Sequence, residues 1–510
     1  MVRQQIAMPP RDLLGCFTRP GDCDAIAEWL CSIPHRSLTP SPALDLSASG
    51  GEGAGGGEGV PRFAVALDML CYGGLVASRT LSADLATAVA RLEALRDLRR
   101  RLPQAVIFAF SAIMRLGATV TCADDLNDHL LLRSYSQLLD RVERLGDQQA
   151  SRELDETRRQ LDPDRLAEYL AIRRRNHAVN RMAVQLVAEG VLDYLVLAQE
   201  DAAPVGIHLP EQLALRAQIE EYRVADRAVL TCGADEMTAM LLARHVVDAS
   251  GMIPGIAVDY AAEAGSAVVP AFESQPVRDT VLDHLAIAGA RAATPADADA
   301  LLFVHTPIGA QADIAQAPPP GQSPSLALQA ESISDRVGAA AAAGRLLGLA
   351  DIAYCNGADP ELIGALERQG ALAQLGAFGG WNTAANTLGT VLSQLCLMAA
   401  RGRMVKAELA RRFLAARLVD DYGYQACTRR RAINHAEEIG ADPFDLGEAR
   451  AELERFVNGE LEPLAHRYVS QVLAGLDAGP VRVSLPWGRL FEVEVELEVA
   501  SSLAEPKNRR

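Results

Sequence analysis

The side chains best suited to chemistry stand where short apolar runs give way to polar residues. Glu200 and Asp201 close LDYLVLAQED (192–201), and Asp235 and Glu236 close AVLTCGADE (228–236). Asp68 and Tyr72 fall at the end of FAVALDML (63–70), with Arg79 shortly after, and Arg115 ends AVIFAFSAIMR (105–115). Asp259, His305, Asn356 with Asp359, and Trp381 with Asn382 and Asn386 follow the later runs. Polar groups placed directly after a buried strand cost folding energy unless they reach solvent or a pocket, and catalytic groups collect in such loops. The competing assignment is helix capping, which Asp and Asn favour. Capping suits Asp235 and Asp359, in G-A-D-E and G-A-D-P-E. It suits Glu200-Asp201 less well, because two adjacent carboxylates exceed what one cap requires.

A carboxylate pair does acid–base work when its surroundings separate the two protonation equilibria. Glycoside hydrolysis is the commonest chemistry run on carboxylates alone, with aromatic and amide groups holding the sugar. Asp201, Glu200, Asp235, Glu236 and Asp68 are therefore the catalytic candidates. Trp381, Asn382, Asn386, Asn356, Asp359, Tyr72 and Arg79 are the substrate-binding candidates. No H-E-x-x-H, Walker loop or G-x-S-x-G elbow occurs. His177 and His208 match no dedicated metal spacing, so neither metal nor cofactor is expected. Gly73-Gly74 and Gly379-Gly380 read as tight turns rather than phosphate cradles.

The elements that must position these groups are legible in outline. Further apolar runs are IAVDYAAE (256–263), LLFVHTP (301–307), DIAYCNGAD (351–359) and LGAFGGWNT (375–383). Continuous rather than alternating apolarity marks strands buried on both faces, as in a parallel sheet covered by helices. Pro210 and Glu211 sit in a first helical turn, and Met237, Met240, Leu241 and Val247 share one helical face. Strand followed by helix, many times over, predicts an α/β fold with a parallel sheet, barrel-like or doubly wound. The pattern itself does not separate the two arrangements; the barrel is the preferred expectation. After about residue 400 long charged helices take over, and VRVSLPWGRLFEVEVELEV alternates as a terminal β-hairpin does. The expected parts are 1–190 (with a Gly-rich loop at 41–60), 191–400 carrying most strand-end motifs, and 401–510, helical with the hairpin. A second loop is expected at 315–326, where prolines exclude helix and sheet interior.

Composition narrows the partners. Of 510 residues 49% are hydrophobic and 23% charged, an ordinary globular balance. A net charge of −17 disfavours nucleic acid. The triplets Arg99–Arg101, Arg173–Arg175 and Arg429–Arg431 are best read as solvated helix faces or ion-pairing sites. Nine cysteines without a C-x-x-C pair, with Cys71, Cys232 and Cys355 in apolar runs, indicate buried free thiols in a reducing compartment. The N-terminus lacks an apolar signal region, and Arg345 interrupts the longest alanine-rich run, so a cytoplasmic location without membrane contact is expected.

Taken together, DMLCYGGLVASR (68–79), QEDAAPVGIHLPEQ (199–212), GADEMTAMLLAR (233–244), YCNGADPELI (354–363) and GGWNTAANTLG (379–389) resemble an uncharacterised bacterial family, domain-of-unknown-function family 4127. The resemblance runs over nearly the whole chain, and LPWGRLFEVEV also looks like that family's C-terminus. It implies a site at these motifs but names no reaction. Two departures stand out. The family's opening strand and D-D-R-P-like segment are not seen ahead of Pro9-Pro10-Arg11-Asp12-Leu13, which implies either a start upstream of Met1 or a lost strand. The family's D-D pair is Glu200-Asp201 here, moving one carboxylate by a methylene, about an ångström, enough to matter at a reacting centre.

The leading expectation is a hydrolase of a glycosidic or related carbohydrate bond. Asp201 would be the general acid or base and Glu200 its partner, acting on a carbohydrate or other small molecule. The alternatives are a metal-assisted lyase or small-molecule biosynthesis enzyme, and a non-catalytic binding protein derived from an enzyme.

Overall fold

The computed structural model describes residues 7–32, 60–316, 323–401, 407–473 and 478–499. The Gly-rich stretch at 41–59 and residues 317–322 of the Pro-rich stretch lie outside them. Contacts divide the chain into two compact units, each assembled from separated stretches. Met1–Gly255, Ser266–Ala292 and Thr383–Met404 form the first; Ile256–Gly265, Ala293–Asn382 and Val405–Arg510 form the second.

The first unit is built on four parallel strands, β1 (Arg62–Ala66), β2 (Val106–Ile113), β3 (Tyr194–Gln199) and β4 (Ala228–Cys232), in the order β1-β2-β3-β4. All six residues of β3 are buried, which is why its sequence is continuously apolar instead of alternating. A second sheet has the order β6-β5-β7-β8-β9, with β5 (Gly255–Tyr260), β6 (Arg291–Ala292), β7 (Ala300–His305), β8 (Leu346–Asp351) and β9 (Ala377–Gly379). The pairs β5–β7, β7–β8 and β8–β9 are parallel. The fold class is thus α/β, and β1 to β9 form two open sheets in place of the barrel. Apolar runs report burial on both faces but not which strands pair at the edges.

Two runs are displaced from their expected positions. FAVALDML is a strand only to Ala66; Leu67–Tyr72 continues as a short helix ended by Gly73 at φ 91°. DIAYCNGAD is the loop after β8, whose strand is the preceding LLGLAD. In both places residues able to pack in either conformation are assigned by the sheet, not by local preference.

The helix Pro163–Ala188 covers the first sheet with an unusually polar buried face. Asn180 receives a hydrogen bond from Ser111 Oγ at 2.6 Å and donates to the Ala112 carbonyl at 3.1 Å. Asp162 caps this helix, accepting from the Asp164 and Arg165 amides at 2.8 and 3.4 Å, with proline at the first turn. Asp162→Ala is expected to lower unfolding free energy by about 1 kcal/mol, read as a shifted denaturant midpoint at unchanged slope.

The arginine triplets are ion-pairing sites more than solvated faces: Arg99 pairs with Asp193 at 2.7 Å, Arg173 with Glu211 and Arg429 with Asp313. In the second unit, Phe378, Leu349 and Leu362 share a core with Leu418, Tyr424, Leu453 and Tyr468 of the C-terminal helices. The tail is an antiparallel pair, β10 (Ala478–Ser484) and β11 (Glu494–Val499), which bears out the expected hairpin. No helix among the described residues is long and apolar enough to cross a membrane.

Candidate functional site

In the first unit the ends of β2, β3 and β4, with the turn Ala77–Arg79 that follows β1, bring five charged residues together. Glu200 follows β3 and pairs with Arg79, whose Nη1 also donates to Thr119 Oγ1 at 3.0 Å. Arg115, just beyond β2, pairs directly with Asp201 and reaches Glu200 at 3.9 Å. Asp235 interacts electrostatically with Glu200, Arg79 and Arg115.

The polar face of helix Pro163–Ala188 explains how these arginines are held. Arg173 donates to the carbonyls of Met114 and Arg115 at 3.1 and 2.7 Å, and its far edge binds Glu211. Arg175 and Asn176 both donate to the Ser78 carbonyl, beside Arg79, at 2.5 and 2.9 Å. One buried helix face thereby fixes the two backbone segments that aim Arg79 and Arg115. Fixing the supporting backbone is what preorganises a site.

The turn after β3 is strained. Asp201 lies at φ 30°, in the left-handed region that an aspartate tolerates better than most residues. Across from it Phe272 lies at φ 65°, an outlier for an aromatic residue, and its carbonyl accepts the Ala202 amide at 2.6 Å. Glu273, next in sequence, accepts the Ala385 amide at 3.0 Å. Such strain persists where surrounding contacts over-determine it, and it clusters at functional sites.

Burial dominates the protonation of the carboxyls. It pushes Glu200 up to about 7, against the pull of Arg79 and Arg115. It pushes Glu236 up to about 8 and Glu273 up to about 7. Glu236 Oε2 accepts the Ala234 amide at 3.1 Å and the Asn386 side chain, while Oε1 lies 3.7 Å from His284 Nε2. That contact is no ion pair at neutral pH: burial lowers His284 to about 4, and its Nε2 donates to the Cys232 carbonyl at 3.1 Å.

The remaining first-unit candidates are packed into the structure. Asp68 lies on the short helix after β1, and its Oδ2 accepts the Ala112 amide at 2.8 Å, fastening that helix to β2. Burial raises it to about 6. Tyr72 is buried with the Arg175 guanidinium 4.4 Å over its ring. His208 is a core histidine lowered by burial to about 3. Helix Met237–Ser250 begins after Glu236, so Glu236, not Asp235, holds the position before its first turn.

Trp381, Asn382, Asn356 and Asp359 belong to the second unit. Asp359 is the helix cap that its G-A-D-P-E setting indicates, accepting the Glu361 amide at 3.0 Å. Its other oxygen meets His305 Nε2 at 2.9 Å, and Asp351 accepts the Asp359 amide at 2.6 Å. Against the downward push of burial, Asp359 and Asp351 hold His305 above the ordinary imidazole range. Asn356 and Asn382 adopt φ 63° and 48°, joined by a bond from the Asn356 amide to the Asn382 carbonyl at 2.9 Å. Asn356 also donates to Asp313, which pairs with Arg429. Arg417 lies 5.3 Å over the Trp381 ring and pairs with Asp420 and Asp421. The segment Leu418–Thr428 is a π-helix, a form concentrated at functional sites. Asp421 lies on it and receives the Gly380 amide at 2.8 Å.

Sequence reasoning assigned no role to Arg115, Arg133, Glu273 or Asp420. Arg115 was visible as a strand-end residue; the other three carry no local signal, since each is brought to its neighbours by chain returning from elsewhere. Among the described residues no three His, Cys, Asp or Glu side chains form a group suited to hold a metal ion.

Fold and site together define an α/β protein of two parallel-sheet units, the first bearing a buried carboxylate–arginine cluster at its strand ends. Residues 59–496 match the family model described as protein of unknown function (DUF4127), and the chain belongs to that family. No curated protein and no solved structure matches it.

Proposed function

We propose that the protein is a hydrolase of a glycosidic or related carbohydrate bond, working at the Glu200–Asp201 turn. The observation that carries this is the contrast between two adjacent carboxyls. Glu200 is buried and raised to about 7, and its Oε2 has no hydrogen-bond partner. Asp201 is tied to Arg115 and keeps 17% of its side chain exposed. One acid that retains its proton beside one carboxylate open to solvent is the division of labour that carboxylate hydrolysis needs. Glu200 is the proton donor and Asp201 the base or nucleophile. Arg79 and Arg115 hold both in place, and Asn386 keeps Glu236 oriented behind them. Among the described residues none of the nine cysteines forms a disulfide and five are buried, which supports a reducing, cytoplasmic setting.

The test is turnover of a panel of chromogenic glycosides by the full chain, with Asp201→Asn beside it. Cleavage of any member that disappears in the variant supports the proposal. Stabilisation without cleavage would point to a binding protein instead. The pH profile is a second check. A proton donor raised to about 7 must be protonated, so turnover is expected to fall as pH rises through about 7. A rate that climbs through that interval would remove Glu200 from the donor role.

A further inference from the structure

Arg133, on the helix Asp125–Glu143, is the cation whose surroundings the cluster leaves incomplete. Its guanidinium stacks 5.2 Å over the Phe272 ring, and Nη2 donates to the Ala202 carbonyl at 3.3 Å. It therefore touches both the strained turn after β3 and the Phe272 segment hydrogen-bonded to it. Nη1 is buried without a hydrogen-bond partner, and among the described residues no carboxylate lies within 4.0 Å of this side chain. Arg115 beside it, although paired with Asp201, also has a buried Nε without a partner.

A guanidinium cannot shed its proton, so withdrawing it from water without a counter-charge is unfavourable. Elsewhere in this unit Arg173 is matched by Glu211, and the buried Arg175 spends its donors on the carbonyls of Ser78, Thr80 and Ala83 and on Asn176. Partly buried Arg133 differs from these in keeping an Nη1 that neither a carboxylate nor a carbonyl occupies, and it stands next to the residue assigned the attacking role. Its planar fork, with unpartnered donors, is suited to an oxyanion.

We propose that Arg133, with Arg115, binds an anionic group of the ligand, a carboxylate or a phosphate, directly beside Asp201. This rests on the carbohydrate reading for the rest of the ligand and makes the substrate class an acidic sugar, a uronic acid or a sugar phosphate. Asp201 acts on Arg133 only through space, so the anion supplies the direct partner that Arg133 Nη1 lacks and registers the neighbouring bond against Asp201.

Binding to the full chain, measured calorimetrically, tests this without requiring turnover. The probes are glucuronate, glucose 6-phosphate, inorganic phosphate and glucose. At least one anionic probe is expected to bind more tightly than glucose, and Arg133→Gln to weaken it roughly 10- to 100-fold, as loss of a charged hydrogen bond does. Arg133→Lys should fall between. Preference for glucuronate identifies a carboxylate ligand and preference for glucose 6-phosphate a sugar phosphate. Inorganic phosphate binding equally well keeps the anion site and assigns it to free phosphate. Since Arg133 packs on Phe272, folding of each variant is checked by its unfolding midpoint. If Arg133→Gln does not fold, salt titration of the wild type decides, with binding expected to weaken as salt rises. Glucose binding as tightly as every anion, no anion binding, salt-independent binding, or undiminished binding by folded Arg133→Gln would each overturn the proposal. Anion binding by a protein that cleaves no glycoside would leave this site standing and remove only the hydrolase reading.

Discussion

Asp201→Asn is expected to reduce turnover of a cleaved glycoside by roughly 10²–10⁴-fold, the usual contribution of a positioned acid–base group. The substitution isolates the charge. Asparagine matches aspartate in shape and tolerates the left-handed backbone that holds this residue at φ 30°, so the turn is retained. The bond from the Ala202 amide to the Phe272 carbonyl does not involve the side chain and should also survive. What is lost is the negative charge that Asp201 presents to Arg115, whose side chain keeps 19% exposure and so retains access to water. The unfolding midpoint should move little while kcat collapses. Asp201→Ala would confound the two, because alanine is strained at positive φ. An unchanged kcat in Asp201→Asn would remove this residue from the mechanism, whatever Glu200 then proved to do.

Glu236→Gln is expected to stabilise the protein at alkaline pH and to change little near pH 4.5. Burial raises this carboxyl from its ordinary 4.5 to about 8, so the folded state holds a proton that the unfolded chain has released. Below about 4.5 both states are protonated and the group adds no pH dependence. Between about 4.5 and 8 unfolding releases a proton, and stability falls as pH rises. Above about 8 both states are ionised and the accumulated cost is on the order of 5 kcal/mol, taking about 1.4 kcal/mol per pH unit. Glutamine carries no charge to bury, and its oxygen can still accept from the Ala234 amide and Asn386, as Glu236 Oε2 does. The comparison is of denaturant midpoints at pH 5 and pH 9. A variant equally displaced at both values would show that Glu236 acts through packing, which its tight setting between Gly233 and Gly389 makes the natural rival.

Protonation of this kind marks a limit of what the sequence offers. Glu200, Glu236 and Glu273 are chemically identical letters, and each is raised by how completely its neighbours exclude water. No spacing rule reports that. Arg133 shows the same limit from the cationic side. It sits on a helix rich in charges, where a solvated face is the reasonable expectation, and only its contacts with Ala202 and Phe272 distinguish it. Arg173 and Arg175 were likewise readable as surface charges until their donors were seen to be occupied by Met114, Arg115 and Ser78.

What the sequence determined by itself follows from local pattern. Tyr194–Gln199 reads as a buried strand because apolar side chains on both faces of a strand need cover on both. Asp359 reads as a cap because a short acceptor before Pro360 satisfies the free amides of a helix start. The terminal hairpin follows from alternation, Gly73 from the turn it permits, and family membership from five motifs in order. The tertiary structure decided the rest: that the strands form two open sheets, that Asp68 fastens a helix instead of facing solvent, and that the predicted site residues divide between two units. Each of these depends on contacts between residues far apart in the chain. Periodicity measures which face of an element is buried, whereas strand partners, counter-charges and water exclusion are properties of the neighbours that folding brings to it.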